Sequence, residues 1–258
     1  MSLVMRTYAA VLSTTLALAL ATACGDTTTG TPSPEAIETA ESIARSVTIE
    51  APPSTTPEAD DASDELVQLD ARVFGDGPRG VILAHMRPAD QQSWFPFATT
   101  LADTGEYTVL TFDFRGYGES SGDKQFDRID TDLTAAYEYM RDTLQIEEIY
   151  LVGASMGGTA SLVVGARDDV AGVVSISSPA QFPPLDAVET VDEITAPKLF
   201  ISSEDDVPAM RSQELLWEAA RAPKDEHVYE GDAHGTALFD TEHGPDLEQR
   251  LMDFLEAN

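Results

Sequence analysis

The sequence predicts an α/β fold in which helices cover both faces of a mostly parallel, doubly wound sheet. Three observations support this expectation. Short runs rich in apolar and β-branched residues recur from about residue 66 onward, and helical patterns separate most of them. Several of the runs are apolar throughout, as expected for strands that helices cover on both sides. The 258 residues suffice for one domain of this class.

The predicted elements alternate in chain order. The first strand, Leu66–Phe74, ends at a tight turn over Gly75–Pro78, and we expect it to pair antiparallel at one edge of the sheet. The later strands should be parallel, because a helix links most of them to the next. Strands are predicted at Leu66–Phe74, Gly80–Ala84, Tyr107–Phe112, Glu148–Val152, Val170–Ile176, Lys198–Ser202 and Glu226–Tyr229, and helices at Ser93–Asp103, Arg128–Asp142, Met156–Ala166, Arg211–Ala222 and Asp246–Glu256.

The amino terminus, residues 1–23, is predicted to be a signal peptide. A basic residue, Arg6, precedes the apolar run Tyr8–Ala21, which is too short to span a bilayer comfortably. The next residues resemble a bacterial lipobox, in which the cysteine is lipidated, although Ala21 replaces the usual leucine. Cys24 is the only cysteine of the chain. We expect export and lipid anchoring through Cys24 to the outer face of the bacterial cell membrane; the alternative is ordinary cleavage and secretion.

Residues 24–65 are predicted to be a disordered tether, and residues 66–258 to be the folded domain. The stretch Asp26–Glu65 holds ten acidic residues against one basic residue, Arg45, and is rich in Thr, Pro and Ser. A stretch of this composition has few apolar side chains to bury, and its negative charges repel one another. A short helix over Glu35–Val47 is possible on pattern alone, but nothing in the sequence requires it.

The formal net charge of −31 excludes several classes of partner. A field of this sign repels nucleic acid phosphates and anionic lipid head groups, so we expect no nucleic acid partner and no membrane contact except through the lipid anchor. Only three of the fifteen basic residues are lysine. Acid-rich, lysine-poor surfaces suit concentrated salt, where screening removes the self-repulsion. We therefore hypothesise from the composition that the protein is adapted to concentrated salt.

A nucleophile is predicted at Ser155. It follows the apolar run Ile149–Val152, precedes a helix-capable stretch, and has Gly153 and Gly157 two residues to either side. A strand that reverses sharply into a helix crowds the residues around the turn, and the glycines relieve that crowding while the central hydroxyl projects. The helix amino terminus that follows suits a developing oxyanion. The alternative is a glycine-rich turn without chemistry.

A serine nucleophile needs a base, and His234 is the best placed of the four histidines. It follows the strand Glu226–Tyr229 in a loop, and Gly235 comes next. In a parallel sheet this is the strand end at which ligands bind. By contrast, His227 is expected within a strand, His243 at the surface or as a cap near the last helix, and His85 in the loop that shapes the oxyanion site.

The orienting carboxylate is predicted to be Asp206, with Asp205 as the alternative. Both follow the strand Lys198–Ser202, and spacing does not decide between two consecutive residues. The chain order of Ser155, then the acid, then His234 is the order of an α/β-hydrolase triad.

Two backbone N–H groups are candidates for the oxyanion hole. The first belongs to Met156, directly after the nucleophile, and the second should come from the loop over His85–Pro88. We favour the N–H of Arg87, with Met86 as the alternative, because Pro88 has no N–H. The Arg87 side chain is expected to pair with a surface carboxylate; alternatively, it places a cation at the mouth of the site and attracts acidic substrates.

One further motif carries a family resemblance. The segment Asp113–Ser120 reads D-F-R-G-Y-G-E-S, which resembles the D-x-R-G-x-G-x-S loop of the α/β-hydrolase superfamily. With the Ser155 elbow and the residue order, the chain from Leu66 onward resembles that superfamily. The resemblance implies a structural role for the loop, with Asp113 and Arg115 as polar anchors. The chain departs from the family at Met86, where glycine is common, and in a shortened loop after Asp206.

The resemblance implies acyl transfer to water through an acyl-enzyme on Ser155. A carboxylesterase is the first choice; a thioesterase or peptidase on the same triad, or a non-catalytic binding lipoprotein, is the alternative. No metal-binding spacing and no phosphate-binding glycine loop occur in the sequence, so we expect no metal and no cofactor. Residues Ser177–Ala196 are too few for a substantial cap, which favours an open site and small soluble esters or acyl groups on bulky carriers.

Overall fold

A computed structural model describes residues 32–53 and 65–258. The predicted signal peptide and Cys24 lie outside these ranges. The strands are β1 (Arg45–Ala51), β2 (Val67–Phe74), β3 (Arg79–Ala84), β4 (Tyr107–Phe112), β5 (Ile149–Ala154), β6 (Gly172–Ile176), β7 (Gln181–Phe182), β8 (Leu185–Asp186), β9 (Lys198–Ser203) and β10 (Lys224–Tyr229), and the helices are α1 (Pro34–Ile43), α2 (Phe95–Asp103), α3 (Ile129–Glu138), α4 (Met156–Gly165), α5 (Val207–Ala219) and α6 (Gly244–Ala257).

One sheet of eight strands forms the centre of the molecule, in the order β1-β2-β4-β3-β5-β6-β9-β10. The strand β2 pairs antiparallel with both β1 and β4, and every other neighbouring pair of the sheet is parallel. The predicted α/β class with a mostly parallel, doubly wound sheet is therefore confirmed.

Helices pack on both faces of this sheet. One face carries α1, α2 and α6, whose buried residues include Leu101 and Leu251. The other carries α3, α4 and α5, whose buried residues include Leu133 and Leu162. All residues of β5 and β6 are buried as a result, which is why these strands read as continuous apolar runs.

The predicted disordered tether is wrong over Pro34–Ala51. Ser33 caps α1 by accepting a hydrogen bond from the Ala36 N–H at 3.2 Å, and β1 pairs with β2 along its whole length. Ile49 and Ala51 are buried on one side of β1. Backbone pairing and these few apolar side chains outweigh an acidic local composition. Because β1 covers β2, the expected edge position of Leu66–Phe74 is also wrong.

One helix begins earlier than predicted, and one short segment after β6 completes the fold. Helix α5 begins at Val207 rather than Arg211, with a proline in its first turn. Proline suits this position because the backbone N–H that it lacks would have no partner there. The segment after β6, which the sequence predicts to be too short for a substantial cap, contains the small hairpin of β7 and β8. Within the described ranges, no helix combines the length and apolar character that a membrane crossing requires.

Candidate active site

Ser155 lies on a sharp turn between β5 and α4. Its backbone has φ 48° and ψ −117°, a conformation that costs free energy for a residue with a side chain. A Cβ on Gly153 would clash with the backbone of Gly157, and a Cβ on Gly157 would clash with the carbonyl of Ala84. The Ser155 N–H donates to the Ile176 carbonyl at 2.8 Å. Glycines and neighbouring strands thus hold this turn in its strained form.

Helix α4 begins directly after this residue. The first N–H groups of a helix have no carbonyl partner in a preceding turn, so the Met156 N–H and its neighbours present a positive end of the helix dipole beside Ser155. The Ser155 side chain lies in the same corner, and the residue is 8% exposed. The predicted donor Met156 is therefore at the nucleophile candidate.

His234 is hydrogen-bonded to Asp206. Its Nδ1 lies 2.6 Å from Asp206 Oδ2, so Nδ1–H donates to the carboxylate and Nε2 is left as the ring nitrogen that can accept a proton. Asp205 is exposed, and its backbone N–H donates to the Gly231 carbonyl at 2.9 Å. Of the two consecutive aspartates, the structure pairs Asp206 with His234.

The His234 loop packs against the Ser155 turn. A Cβ on Gly235 would lie 3.4 Å from Ala154 Cβ and 2.6 Å from Met86 Sδ, which brings three predicted site segments together. Gly235 has φ +58°, and because it has no side chain it leaves room for Met86. The Ser155 hydroxyl makes no hydrogen bond within the described part of the chain; such contacts often tighten only when substrate binds.

Hydrogen bonds also tie the acid loop to the histidine loop. The Ser203 hydroxyl donates to the Ala233 carbonyl at 2.6 Å, and the Glu204 N–H donates to the Tyr229 carbonyl at 2.9 Å. The two loops therefore extend the parallel pairing of β9 and β10 beyond the strand ends. This arrangement fixes the relative position of Asp206 and His234.

The other three histidines lie elsewhere. His85 is fully buried, its Nδ1 is 2.9 Å from the Met86 carbonyl, and its Nε2 accepts from the Phe114 N–H at 3.1 Å. Burial lowers the pKa of His85 from 6.5 to about 4, so it remains neutral and shapes the loop. His227 lies in the edge strand β10, as predicted, and His243 directly precedes α6.

Arg87 has no carboxylate partner among the described residues. The expected pair between its side chain and a surface carboxylate is therefore not found within these residues. Its guanidinium carbon lies 5.2 Å from the centre of the Phe126 ring instead, a cation–π contact. The preceding residue, Met86, is buried against Gly235, so the Arg87 side chain emerges beside the candidate site.

The D-x-R-G-x-G-x-S loop has the anchoring role that the resemblance implies. Arg115 forms a buried ion pair with Asp132 at 2.6 Å. Asp113 accepts from the Gln91 N–H at 2.8 Å. Burial raises the pKa of Asp113 to about 6, although the hydrogen bonds from Gln91 oppose the rise. The loop thus joins the ends of β4 and α3 below the site.

Little covers the site from above. The Thr159 hydroxyl donates to the Pro179 carbonyl at 2.7 Å and places the segment after β6 against α4. That segment continues into the short hairpin of β7 and β8. The His234 side chain remains 41% exposed. Across the described ranges, no three His, Cys, Asp or Glu side chains cluster in a way that would hold a metal ion.

This geometry agrees with comparisons to known proteins. A family model described as alpha/beta hydrolase fold matches residues 81–213, which is just over half of the chain. The chain belongs to the alpha/beta hydrolase family. Membership supports hydrolase activity for this alpha/beta hydrolase, and the match includes the Ser155 turn and Asp206.

A curated relative and several solved structures are similar to this alpha/beta hydrolase. The alpha/beta hydrolase domain-containing protein aho-3 of Caenorhabditis elegans is 30% identical over 115 residues, which cover 38% of this chain and 34% of that protein. The chain thus matches about a third of the length of that relative.

The solved structures match over most of their length. An esterase from Pyrococcus furiosus has a TM-score of 0.66 at 17% identity, covering 87% of this chain and 94% of that chain. A monoacylglycerol lipase from Paleococcus ferrophilus has a TM-score of 0.64 at 18% identity, covering 72% of this chain and 98% of that chain. An enol-lactonase from Burkholderia xenovorans LB400 has a TM-score of 0.62 at 18% identity, covering 74% of this chain and 97% of that chain. At these identities the likeness shows the fold.

Proposed function

We propose that this alpha/beta hydrolase is a serine hydrolase that cleaves carboxylic esters through an acyl-enzyme on Ser155. The observation that carries the proposal is the 2.6 Å hydrogen bond between His234 and Asp206, formed beside a strained serine turn. A histidine oriented by a carboxylate next to the serine of a strand–helix turn is the arrangement that activates serine hydroxyls. The names of the esterase and lipase relatives favour an ester as the substrate.

The proposed mechanism assigns one role to each group. Ser155 Oγ attacks the ester carbonyl while His234 Nε2 accepts its proton and then donates that proton to the departing alcohol. Asp206 holds the ring in the Nδ1–H tautomer and stabilises the imidazolium. The N–H groups of Met156 and Arg87 donate to the oxyanion. A water molecule, deprotonated by His234, then attacks the acyl-enzyme and releases the acid.

The open surroundings of the site favour small soluble esters or acyl groups on bulky carriers. The hairpin of β7 and β8 is too short to enclose a long lipid chain, and His234 is exposed to solvent. Substrate therefore reaches the site without the opening of a lid.

Hydrolysis of p-nitrophenyl acetate and butyrate tests the proposal. We expect the wild type to hydrolyse both esters, and Ser155→Ala and His234→Ala to lose at least about 10⁴-fold in kcat/KM. The matched control is Ser212→Ala, which removes a hydroxyl from α5 that bonds only within its own helix and should retain wild-type rates. Wild-type protein without hydrolysis, or a Ser155→Ala variant with wild-type rates, would overturn the proposal.

We also propose that the protein is exported and carries lipid on Cys24. The position of the lone cysteine after a short apolar run supports this proposal. In a bacterial host that processes lipoproteins, radiolabelled palmitate should enter the wild type and not Cys24→Ser. Equal label in both proteins would contradict it.

A further inference from the structure

Two cations near the candidate site have no carboxylate partner in the part of the chain that the structure describes, although the chain is rich in acidic residues. The sequence has 46 acidic residues against 15 basic ones, and seven arginines of the described ranges pair with carboxylates. Arg87 and Lys124 form no ion pair there. The Lys124 ammonium instead lies 4.0 Å from the centre of the Tyr117 ring, and Arg87 lies over Phe126. Within the described ranges, no carboxylate therefore pairs with either of these positive charges.

Both cations lie around the loop that reaches the candidate site. The Tyr117 ring packs edge-on against His85 at 4.9 Å, and Met86 packs against Gly235, next to His234. The Phe126 ring packs against Phe182 of the small hairpin at 5.5 Å. Arg87 thus emerges between the oxyanion loop and the hairpin, at the mouth of the site.

A buried donor without a partner lies in the same place. The Tyr117 hydroxyl makes no hydrogen bond within the described residues, and Tyr117 is 4% exposed. Burial raises the pKa of this phenol, and the charge of Arg87 opposes the rise. An unpartnered buried hydroxyl costs free energy that an acceptor on a ligand would recover.

We propose that Arg87, assisted by Lys124 and the Tyr117 hydroxyl, binds a carboxylate that the substrate carries outside its scissile ester. This inference rests on the proposed esterase function and names its substrate class. A guanidinium matches the planar carboxylate and donates two hydrogen bonds to it. The chain as a whole is strongly negative, so two cations without a carboxylate partner in the described ranges provide a local site for an anion that the net charge repels. A neutral ester would gain nothing from them.

The test compares anionic and neutral esters of matched shape. On the acyl side, mono-p-nitrophenyl adipate is paired with p-nitrophenyl hexanoate; on the alcohol side, p-acetoxybenzoate is paired with phenyl acetate. The measured quantity is the ratio of kcat/KM for the anionic ester to that for its neutral partner. Damage to the oxyanion hole affects both esters and cancels in this ratio.

Three arginine variants separate charge recognition from structural support. For at least one ester pair, Arg87→Gln should lower the ratio about tenfold, mainly through KM, which is the size of a charge-assisted hydrogen bond. Arg87→Lys keeps the charge and should retain most of the ratio. The control is Arg141→Gln, whose arginine pairs with Asp142 at the exposed end of the α3 segment and should leave the ratio unchanged.

Tyr117→Phe tests the buried hydroxyl. It should lower the ratio about threefold without lowering the Tm, because the hydroxyl has no partner to lose. The inference is overturned if Arg87→Gln keeps the wild-type ratio for both pairs, or if Gln and Lys lower it equally. Wild-type protein that hydrolyses none of the four esters defeats the proposed function instead, so the two failures are distinguishable.

Discussion

Two consecutive aspartates, Asp205 and Asp206, are candidates for the carboxylate that orients His234, and the local backbone determines which of them contacts the imidazole. Asp206 lies at the N-cap position of α5 and its carboxylate reaches His234. Asp205 points its N–H into the Gly231 loop and its side chain to solvent. A shift of one residue along the chain therefore separates an orienting carboxylate from a surface charge.

Asp206→Asn should lower kcat about 10³- to 10⁴-fold, because the amide no longer fixes the Nδ1–H tautomer or stabilises the imidazolium. The change is nearly isosteric, so the loops should keep their positions. Asp205→Asn, the matched control one residue away, should stay within about twofold of the wild type. Steady-state hydrolysis of p-nitrophenyl butyrate measures both, and a greater loss from Asp205→Asn would reverse the assignment.

His85 gives the fold a dependence on acid. Its folded pKa of about 4 lies below its usual value of 6.5, so the unfolded chain binds more protons between these values. The free energy of unfolding should therefore fall as the pH drops from about 6.5 to about 4, with a contribution of about 3 kcal/mol from His85. Asp113 acts in the opposite direction, because its raised pKa lets the folded protein hold a proton up to about pH 6.

Urea unfolding of the wild type and His85→Gln across this pH range isolates the contribution. Both proteins contain Asp113, so its effect cancels in the difference between them. Glutamine retains one donor and one acceptor for Met86 and Phe114. The stability of the wild type relative to the variant should fall with acid; a pH-independent difference would contradict the buried, neutral assignment.

The sequence predicted the site residues that lie on turns with unusual backbone conformations. The glycines around Ser155 and the short loop before Gly235 reveal the turns, because few residues tolerate those positions. It did not predict the surroundings of Arg87. Which side chain meets Arg87 depends on Phe126, which is distant in sequence and is brought there by the turn that starts α3.

At the scale of elements, Arg115 connects three parts of the chain. It pairs with Asp132 on α3, donates to Gln125 at 3.1 Å, and donates to the Pro52 carbonyl after β1 at 3.1 Å. The ion pair is almost completely buried. Burial raises the pKa of Asp132, and the bonds from Arg115 oppose that rise.

Arg115→Met should lower the free energy of unfolding by about 3–5 kcal/mol, because it leaves a buried carboxylate without its partner. The control, Arg141→Met, breaks an exposed pair and should change it by less than about 0.5 kcal/mol. Replacing Asp132 by leucine in the Arg115→Met background should recover part of the loss. Equal effects of the two single variants in urea unfolding would contradict this account.

The elements that sequence patterns predict best are those buried on both faces. Strands such as β5 and β6 are apolar throughout, and periodicity finds them. Sequence patterns do not predict the strand β1, because it alternates exposed and buried positions within an acidic, Thr-rich stretch. Its pairing with β2 and the few apolar side chains that it buries stabilise it, and pairing between distant segments leaves little trace in local composition.

At the scale of the whole molecule, the net charge of −31 opposes the compact form. The acids are spread over the domain, so folding brings like charges closer together. Raising NaCl from about 0.1 M to about 1 M shortens the screening length from about 10 Å to about 3 Å and weakens this repulsion.

The Tm of the wild type should therefore rise by several degrees over this range of NaCl, as measured by calorimetry. Sucrose, which is excluded from protein surfaces but screens no charge, serves as the control and separates screening from general stabilisation. A Tm that stays constant or falls with NaCl would count against salt adaptation.

The central claim is that one hydroxyl, at Ser155, is activated for attack. A fluorophosphonate probe transfers its phosphonyl group to such an oxygen and releases fluoride, and peptide mapping by mass spectrometry locates the adduct. We expect a single adduct on the peptide that contains Ser155 in the wild type, and none in Ser155→Ala or in His234→Ala. An unlabelled wild type, or an adduct on a different serine, would contradict the account.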